Sequence, residues 1–314
     1  MSIGNRVSLA VTLAVLTWAL WFLWHKRAEL EPYLTLDAAH LIGLFVAALL
    51  YTAFQGVLLK TVLEPLGISL RAKEWFGCIV VTLMWNYVVP FAGIGYRALY
   101  LKRVHGLDYQ DFLASTSAIY VLEILVFGLG GLTGLAFVYG ERGEAAPELL
   151  LVFGAATGFS LLLLLFSPRP PDLPGRFYAK LVLMLEAWYR AKRSPKHIVK
   201  CVGWTVMIFL AYSAMYYLAF MALNSPVPYG ETFVASALSD FSLFVRLTPA
   251  AIGPFEASVA YSVRLYEMDI AQGLLAAGLI RIGTIAVFLI FAPLFQHVLT
   301  ARMTAANFMR DTNA

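Results

Sequence analysis

Six apolar runs constrain this chain more than any other feature: residues 7–24, 38–60, 111–138, 148–166, 198–222 and 271–299. Each is close to the ~20 residues that carry a helix across ~30 Å of hydrocarbon. In that solvent the backbone must satisfy its own polar groups, and for runs of this length that means a helix. Composition agrees, with 61% hydrophobic residues, 13% charged residues and a mean hydropathy of +0.76. Soluble domains hold roughly 45–50% apolar and about 25% charged residues. The expectation is an all-α polytopic membrane protein forming a single transmembrane domain over 1–314. The first run follows Arg6 and lacks a small-residue cleavage site; it is too long for a signal-peptide core and reads as a retained helix.

Two further apolar stretches, 75–89 and 231–247, end in similar motifs. The first runs Val89-Pro90-Phe91-Ala92-Gly93-Ile94-Gly95-Tyr96-Arg97, the second Thr248-Pro249-Ala250-Ala251-Ile252-Gly253-Pro254-Phe255-Glu256. In both an ionisable residue falls seven positions after the proline, and another helical stretch follows. An arm of ~15 residues rises only ~22 Å. These regions therefore read as re-entrant hairpins over 75–105 and 231–266, with a pair of ordinary crossings as the alternative for each.

Loop charge sets the orientation. Loop 167–197 carries seven Lys and Arg residues against Asp172 and Glu186, so it is expected in the cytoplasm. Loop 223–230 is uncharged and 139–147 is mainly acidic, which assigns both to the outside. Both termini then fall inside. Loop 25–37 fits less well, because it is assigned outside yet holds Lys26 and Arg27. Counted this way, residues 1–140 and 148–300 form two inverted-topology repeats. Together they give six full spans plus two re-entrant hairpins whose tips meet near the midplane, the arrangement of many transporters.

Charge inside the hydrocarbon is costly and marks function. Four such residues stand out: Arg97 and Glu256 at the hairpin turns, and Glu123 and Arg281 deep in the following spans. The acid and the base exchange places between the halves. Pro90 and Pro249 break their helices, while Gly93, Gly95, Gly253 and Pro254 shape the turns. Helix N-termini beyond the breaks suit an anion such as a phosphate, and arginine suits its bidentate recognition. Asp240 and Arg246, with Ser236, Ser239, Ser242 and Thr248 nearby, make the second hairpin's first arm too polar for lipid, so it should line a cavity. Asn86 is a comparable polar residue in the first. A pair of salt bridges locking the halves together is the plainer reading of the same charges.

Other signals point to structure. Gly128 to Gly134 is a glycine-rich run inside a span without a following Lys-Ser/Thr, and reads as small-residue helix packing. Asp108 and Asp111 read as a solvated helix entry. Residues 176–193 gather Phe177, Leu181, Val182, Leu185 and Trp188 on one face between basic residues, as in an interfacial helix on an anionic leaflet. Cys78 and Cys201 imply no disulfide framework, and the five histidines show no metal-ligand spacing. No cofactor, metal or nucleic-acid partner is expected.

The motif from Pro249 to Glu256, with the span that holds Arg281, resembles the second half of the lysylphosphatidylglycerol-synthase transmembrane family. Asn86 to Arg97 resembles its first-half motif. The likeness covers about 10–300 and is similar to the flippase portion of bacterial multiple-peptide-resistance proteins. It implies a bacterial inner-membrane protein with Pro249, Gly253, Glu256, Arg281, Pro90, Gly93 and Arg97 at its site. The family's motif is usually richer in glycine than Ala250-Ala251-Ile252 here. With no aminoacyl-transferase domain after the last span, lipid aminoacylation is not expected. The functional expectation is a lipid translocase for an anionic or polyprenyl-linked (isoprenoid) headgroup. It would run passively or on an ion gradient, with Glu123, Glu256 and Asp240 as candidate proton carriers. The alternatives are a membrane-embedded lipid-modifying transferase and a non-catalytic partner of lipid-biosynthesis enzymes.

Overall fold

The computed structural model describes residues 36–143, 146–166, 195–242, 248–265 and 268–311. The run at 7–24, the interfacial helix at 176–193 and Arg246 lie outside the described residues. Everything described is helical or loop. The α-helices are α1 (Ala38–Leu63), α2 (Ala72–Val88), α3 (Ala92–His105), α4 (Tyr109–Arg142), α5 (Pro147–Phe166), α6 (Pro195–Ala222), α7 (Tyr229–Ser242), α8 (Pro254–Leu265) and α9 (Ile270–Asp311). Short 3₁₀ turns occupy Glu64–Leu66 and Pro249–Ala251.

Five of these helices, α1, α4, α5, α6 and α9, are long and apolar enough to cross a membrane. They match the expected runs, although α9 is far longer than its apolar stretch and continues through Pro293 to Asp311. Local chemistry sets several boundaries. Asp37 accepts from the Ala39 amide (3.0 Å) at the start of α1, and Pro147, Pro195 and Pro254 each occupy the first helical position, where a missing N–H costs nothing. The outer face of α5 leaves Leu151, Leu162 and Leu165 more than half exposed, as expected of a lipid-facing surface.

Two helix pairs fold back on themselves. The carboxylate of Glu74, in the first turn of α2, accepts from Tyr100 (2.8 Å) and meets His105 Nε2 (3.0 Å) at the end of α3. The two ends of that pair are therefore adjacent, and α2 and α3 run antiparallel. The start of α7 and the segment after α8 likewise share one cavity, lined by Glu231, Met268 and Asp269.

Packing between the halves is crossed. Helix α1 lies along α6, with Tyr51 stacked on Tyr212 (5.0 Å between centroids) and Phe54 near Trp204. The long helix α4 packs on α7, where a Cβ on Gly134 would stand 2.6 Å from the Gly230 carbonyl oxygen. Reciprocally, the long helix α9 packs on α2 through Phe76, Phe291 and Phe295. The glycine run of α4 serves packing, as its small residues suggested: a Cβ would come within 2.5 Å of Thr157 at Gly128, 2.2 Å of Phe209 at Gly130 and 2.7 Å of Phe153 at Gly131.

Candidate functional site

Both hairpin turns are built alike. In each, the residue after a proline takes a left-handed conformation: Phe91 at φ 63° after Pro90, and Ala250 at φ 53° after Pro249. Ala251 follows at φ 51°. Left-handed backbone costs a non-glycine residue roughly 1–2 kcal/mol, and such strain clusters at functional sites. A side chain then holds an amide just past each turn. Asn86 Oδ1 accepts from the Gly93 amide (2.9 Å) and Glu256 Oε2 from the Gly253 amide (2.8 Å). These two N–H groups, expected to face an anion, are occupied by the protein's own side chains.

The tips face each other across a cavity of about 720 Å³, part of it open to the outside. Pro90 and Phe91 line it from one hairpin, Thr248, Ala250 and Ala251 from the other, and Tyr87, Tyr212 and Arg281 from the helices around them. Arg281 ties the second turn together. It pairs with Glu256 and donates to the carbonyl oxygens of the strained Ala250 (3.1 Å) and Ala251 (3.4 Å). Its guanidinium also lies 4.7 Å from the centre of the Phe255 ring.

A second cavity, of about 830 Å³ counting the space open to solvent, lies behind the first hairpin. It shares the wall of Tyr51, Leu83 and Asn86 with the first. Arg97, Glu123 and Asp240 line it, with Gln55, Thr82 and Thr116. Arg97 and Asp240 are both buried, and the Arg97 guanidinium lies 5.6 Å from the centre of the Phe112 ring on α4. Six sequence-derived residues thus gather in one region: Asn86 in the shared wall, Arg281 with its partner Glu256 on the tip side, and Arg97, Glu123 and Asp240 behind it, while Gly93 joins the arms.

Several placements differ from the sequence reading. The first turn is at Val89–Phe91, so Gly93 and Gly95 belong to α3. A Cβ on Gly93 would stand 2.0 Å from the Thr82 carbonyl oxygen, whereas one on Gly95 would meet nothing within 4 Å. Gly93 permits close contact between the arms; Gly95 has no such role. Arg97 sits more than one turn into α3 rather than at the tip, and Pro254 opens α8 rather than shaping the bend. Ser236 and Ser239 are fully buried and bond to Ser213 (2.7 Å) and Tyr216 of α6.

Tyr51, Tyr87 and Tyr212 carried no sequence signal as cavity walls, because single tyrosines in apolar runs read as packing. Nor did sequence patterning single out Glu74 and Glu231, each at the head of a hairpin and each only 2% exposed. Charges at helix ends ordinarily read as solvated.

A family model described as "Lysylphosphatidylglycerol synthase TM region" matches residues 7–292. No curated protein and no solved structure matches the chain. The family match takes in the helices that carry both turns and both cavities, and it agrees with the motifs around Pro90 and Pro249. This multi-pass membrane protein therefore belongs to the lysylphosphatidylglycerol synthase transmembrane-region family, and its setting is membrane lipid.

Proposed function

We propose that the chain is a lipid translocase in which a charged or lipid-linked headgroup passes between the two hairpin tips while its tails stay in the bilayer. The observation that carries this reading is the pair of matching helix breaks facing each other across a cavity that holds Arg281, with a polar cavity holding Arg97 beside it. Broken helices in corresponding positions of two halves are the usual pointer to a transporter's binding site. Irregular backbone at membrane depth is tolerated where it lines a cavity.

The hairpins are read as re-entrant. The two arms of the first, 17 and 14 residues, rise only ~21–26 Å at ~1.5 Å per residue, short of the ~30 Å core. The crossed packing supports inverted repeats: exchanging α1 with α6, α2 with α7 and α4 with α9 maps the principal contacts onto one another. Loop charge sets the direction, with the head of the first hairpin in the cytoplasm and the head of the second outside. A bacterial inner membrane with anionic or polyprenyl-linked lipid as substrate is the setting we infer.

The test is translocation in proteoliposomes, with fluorescent phosphatidylglycerol and polyprenyl-phosphate analogues scored by external quenching. Native protein should move at least one of them, and Glu256→Gln and Arg281→Ala should abolish movement while remaining folded. If no lipid moves with or without a pH gradient, the translocase reading is wrong.

A further inference from the structure

Each hairpin is latched at its head to the long helix of the other half, and the two latches are built differently. In the first, Glu74 is the third residue of α2 and meets Arg302 of α9 (2.7 Å). In the second, Glu231 is the third residue of α7 and pairs with Arg142 at the end of α4. The positions correspond under the exchange that relates the halves. Both carboxylates are buried.

Glu74 is heavily held. It accepts from the Arg71 amide (2.9 Å), Tyr100 (2.8 Å) and Arg302 (2.7 Å), and meets His105 (3.0 Å). Burial alone would raise its pKa, yet these groups hold it below the usual carboxylate range. Glu231 faces a different set. Arg142 is the one cation bonded to it among the described residues, and the Glu141 carboxylate stands close enough to repel it. Asp269, from the segment leading into α9, shares its cavity, and Asn224 and Ser225 enter from the loop after α6. Burial, with Glu141 adding to it, pushes Glu231 up to about 7 despite Arg142. Its cavity is open and polar, with about 850 Å³ of space, so a proton reaches it from water.

We propose that Glu231 is a proton-binding gate residue: a proton from the aqueous cavity converts its carboxylate to the acid, Arg142 is released still charged, and the head of the second hairpin parts from α4. The first hairpin stays fixed at Glu74. The proposal rests on the translocase reading for its purpose, and it supplies the coupling ion. A neutral Glu231 no longer attracts Arg142, while the carboxylate needs that partner to stay ionised at this depth.

Ser225 reports the gate. It is buried in the wall of this cavity, 3.0 Å from Gln272 Nε2. The full chain, with Cys78 and Cys201 changed to Ala, would carry Ser225→Cys in nanodiscs of phosphatidylglycerol and phosphatidylethanolamine. Modification by a maleimide would be followed as a function of pH. Rates would be normalised to Gly140→Cys, whose Cβ meets nothing within 4 Å, which removes the thiol's own pH dependence.

The normalised rate should rise about tenfold or more as pH falls through about 7, the size of a two-state shift between mostly closed and mostly open. Glu231→Gln should react at the high rate at every pH, and Glu74→Gln should leave the profile unmoved. Glu141→Gln, which removes the repelling charge without touching the pair, should shift the midpoint to lower pH. A flat profile in the native background overturns the gate. So does an unchanged profile in Glu231→Gln or, should that variant not fold, an unmoved midpoint in Glu141→Gln. The readout needs no lipid movement. A gated profile without translocation would therefore refute the translocase and leave the gate standing.

Discussion

Gly93 and Gly95 lie two residues apart in one helix and should respond oppositely to the same substitution. In Gly93→Ala the new methyl would stand 2.0 Å from the Thr82 carbonyl oxygen, 2.6 Å from its carbon and 2.7 Å from Thr82 Cα. All three atoms are backbone, so no side chain can rotate away. Real Cβ contacts lie beyond 3.0 Å and ordinary ones beyond 3.4 Å, so α2 and α3 must part by at least ~1 Å at their closest point. Overpacking of this kind costs about 1–3 kcal/mol. The separation also weakens the bonds from Thr82 Oγ1 to the Gly93 carbonyl (3.3 Å) and from the Gly93 amide to Asn86 (2.9 Å), each worth about 0.6 kcal/mol by measurements inside membrane proteins. The total loss is about 2–4 kcal/mol. Gly95→Ala meets open space and gains helix propensity, so stability should rise by about 0.5–1 kcal/mol. Intrinsic tryptophan fluorescence during unfolding in detergent, for both variants beside native protein, reads the difference. Equal stabilities for the two variants would refute close contact at the first hairpin tip.

Two more outcomes follow from the second turn. Ala250→Gly, at φ 53°, should raise thermal stability by about 1 kcal/mol, because glycine adopts left-handed backbone without the penalty alanine carries; a lower unfolding temperature would contradict the assigned turn. Arg281→Gln should destabilise by about 2–4 kcal/mol, leaving Glu256 partly buried without its cation, and Glu256→Gln in the same chain should restore part of the loss. Strict additivity of the two substitutions in an unfolding series would show that the residues do not interact.

Helix content and span positions were legible because they rest on local properties. The runs at 38–60, 111–138, 148–166 and 198–222 became α1, α4, α5 and α6 with ends moved by a few residues. Hydrocarbon length and helix-starting prolines decide both. The break after Val88 was equally plain from Pro90. The turn conformations were not, since Phe91, Ala250 and Ala251 carry no sequence signal for left-handed backbone. Gly93 and Gly95 look identical in sequence, and only the approach of Thr82 separates them. The charges divide the same way. Arg97, Glu123, Asp240 and Arg281 stood out inside apolar runs, whereas Glu74 and Glu231 sit at helix heads. What makes those two special is a partner on a distant helix, which spacing cannot reveal.

The crossed latches also bear on how the protein is made. Arg142 is already in the chain when Glu231 emerges, so the second hairpin meets its partner as soon as it is synthesised. Arg302 follows Glu74 by roughly 230 residues, an interval of ~10–50 s at ~5–20 residues per second. During that time the first hairpin sits in the nascent chain with Arg71, Tyr100 and His105, all within 31 residues of Glu74, already there to satisfy its acid. Those partners let the first hairpin hold its buried acid until the helix that completes it arrives.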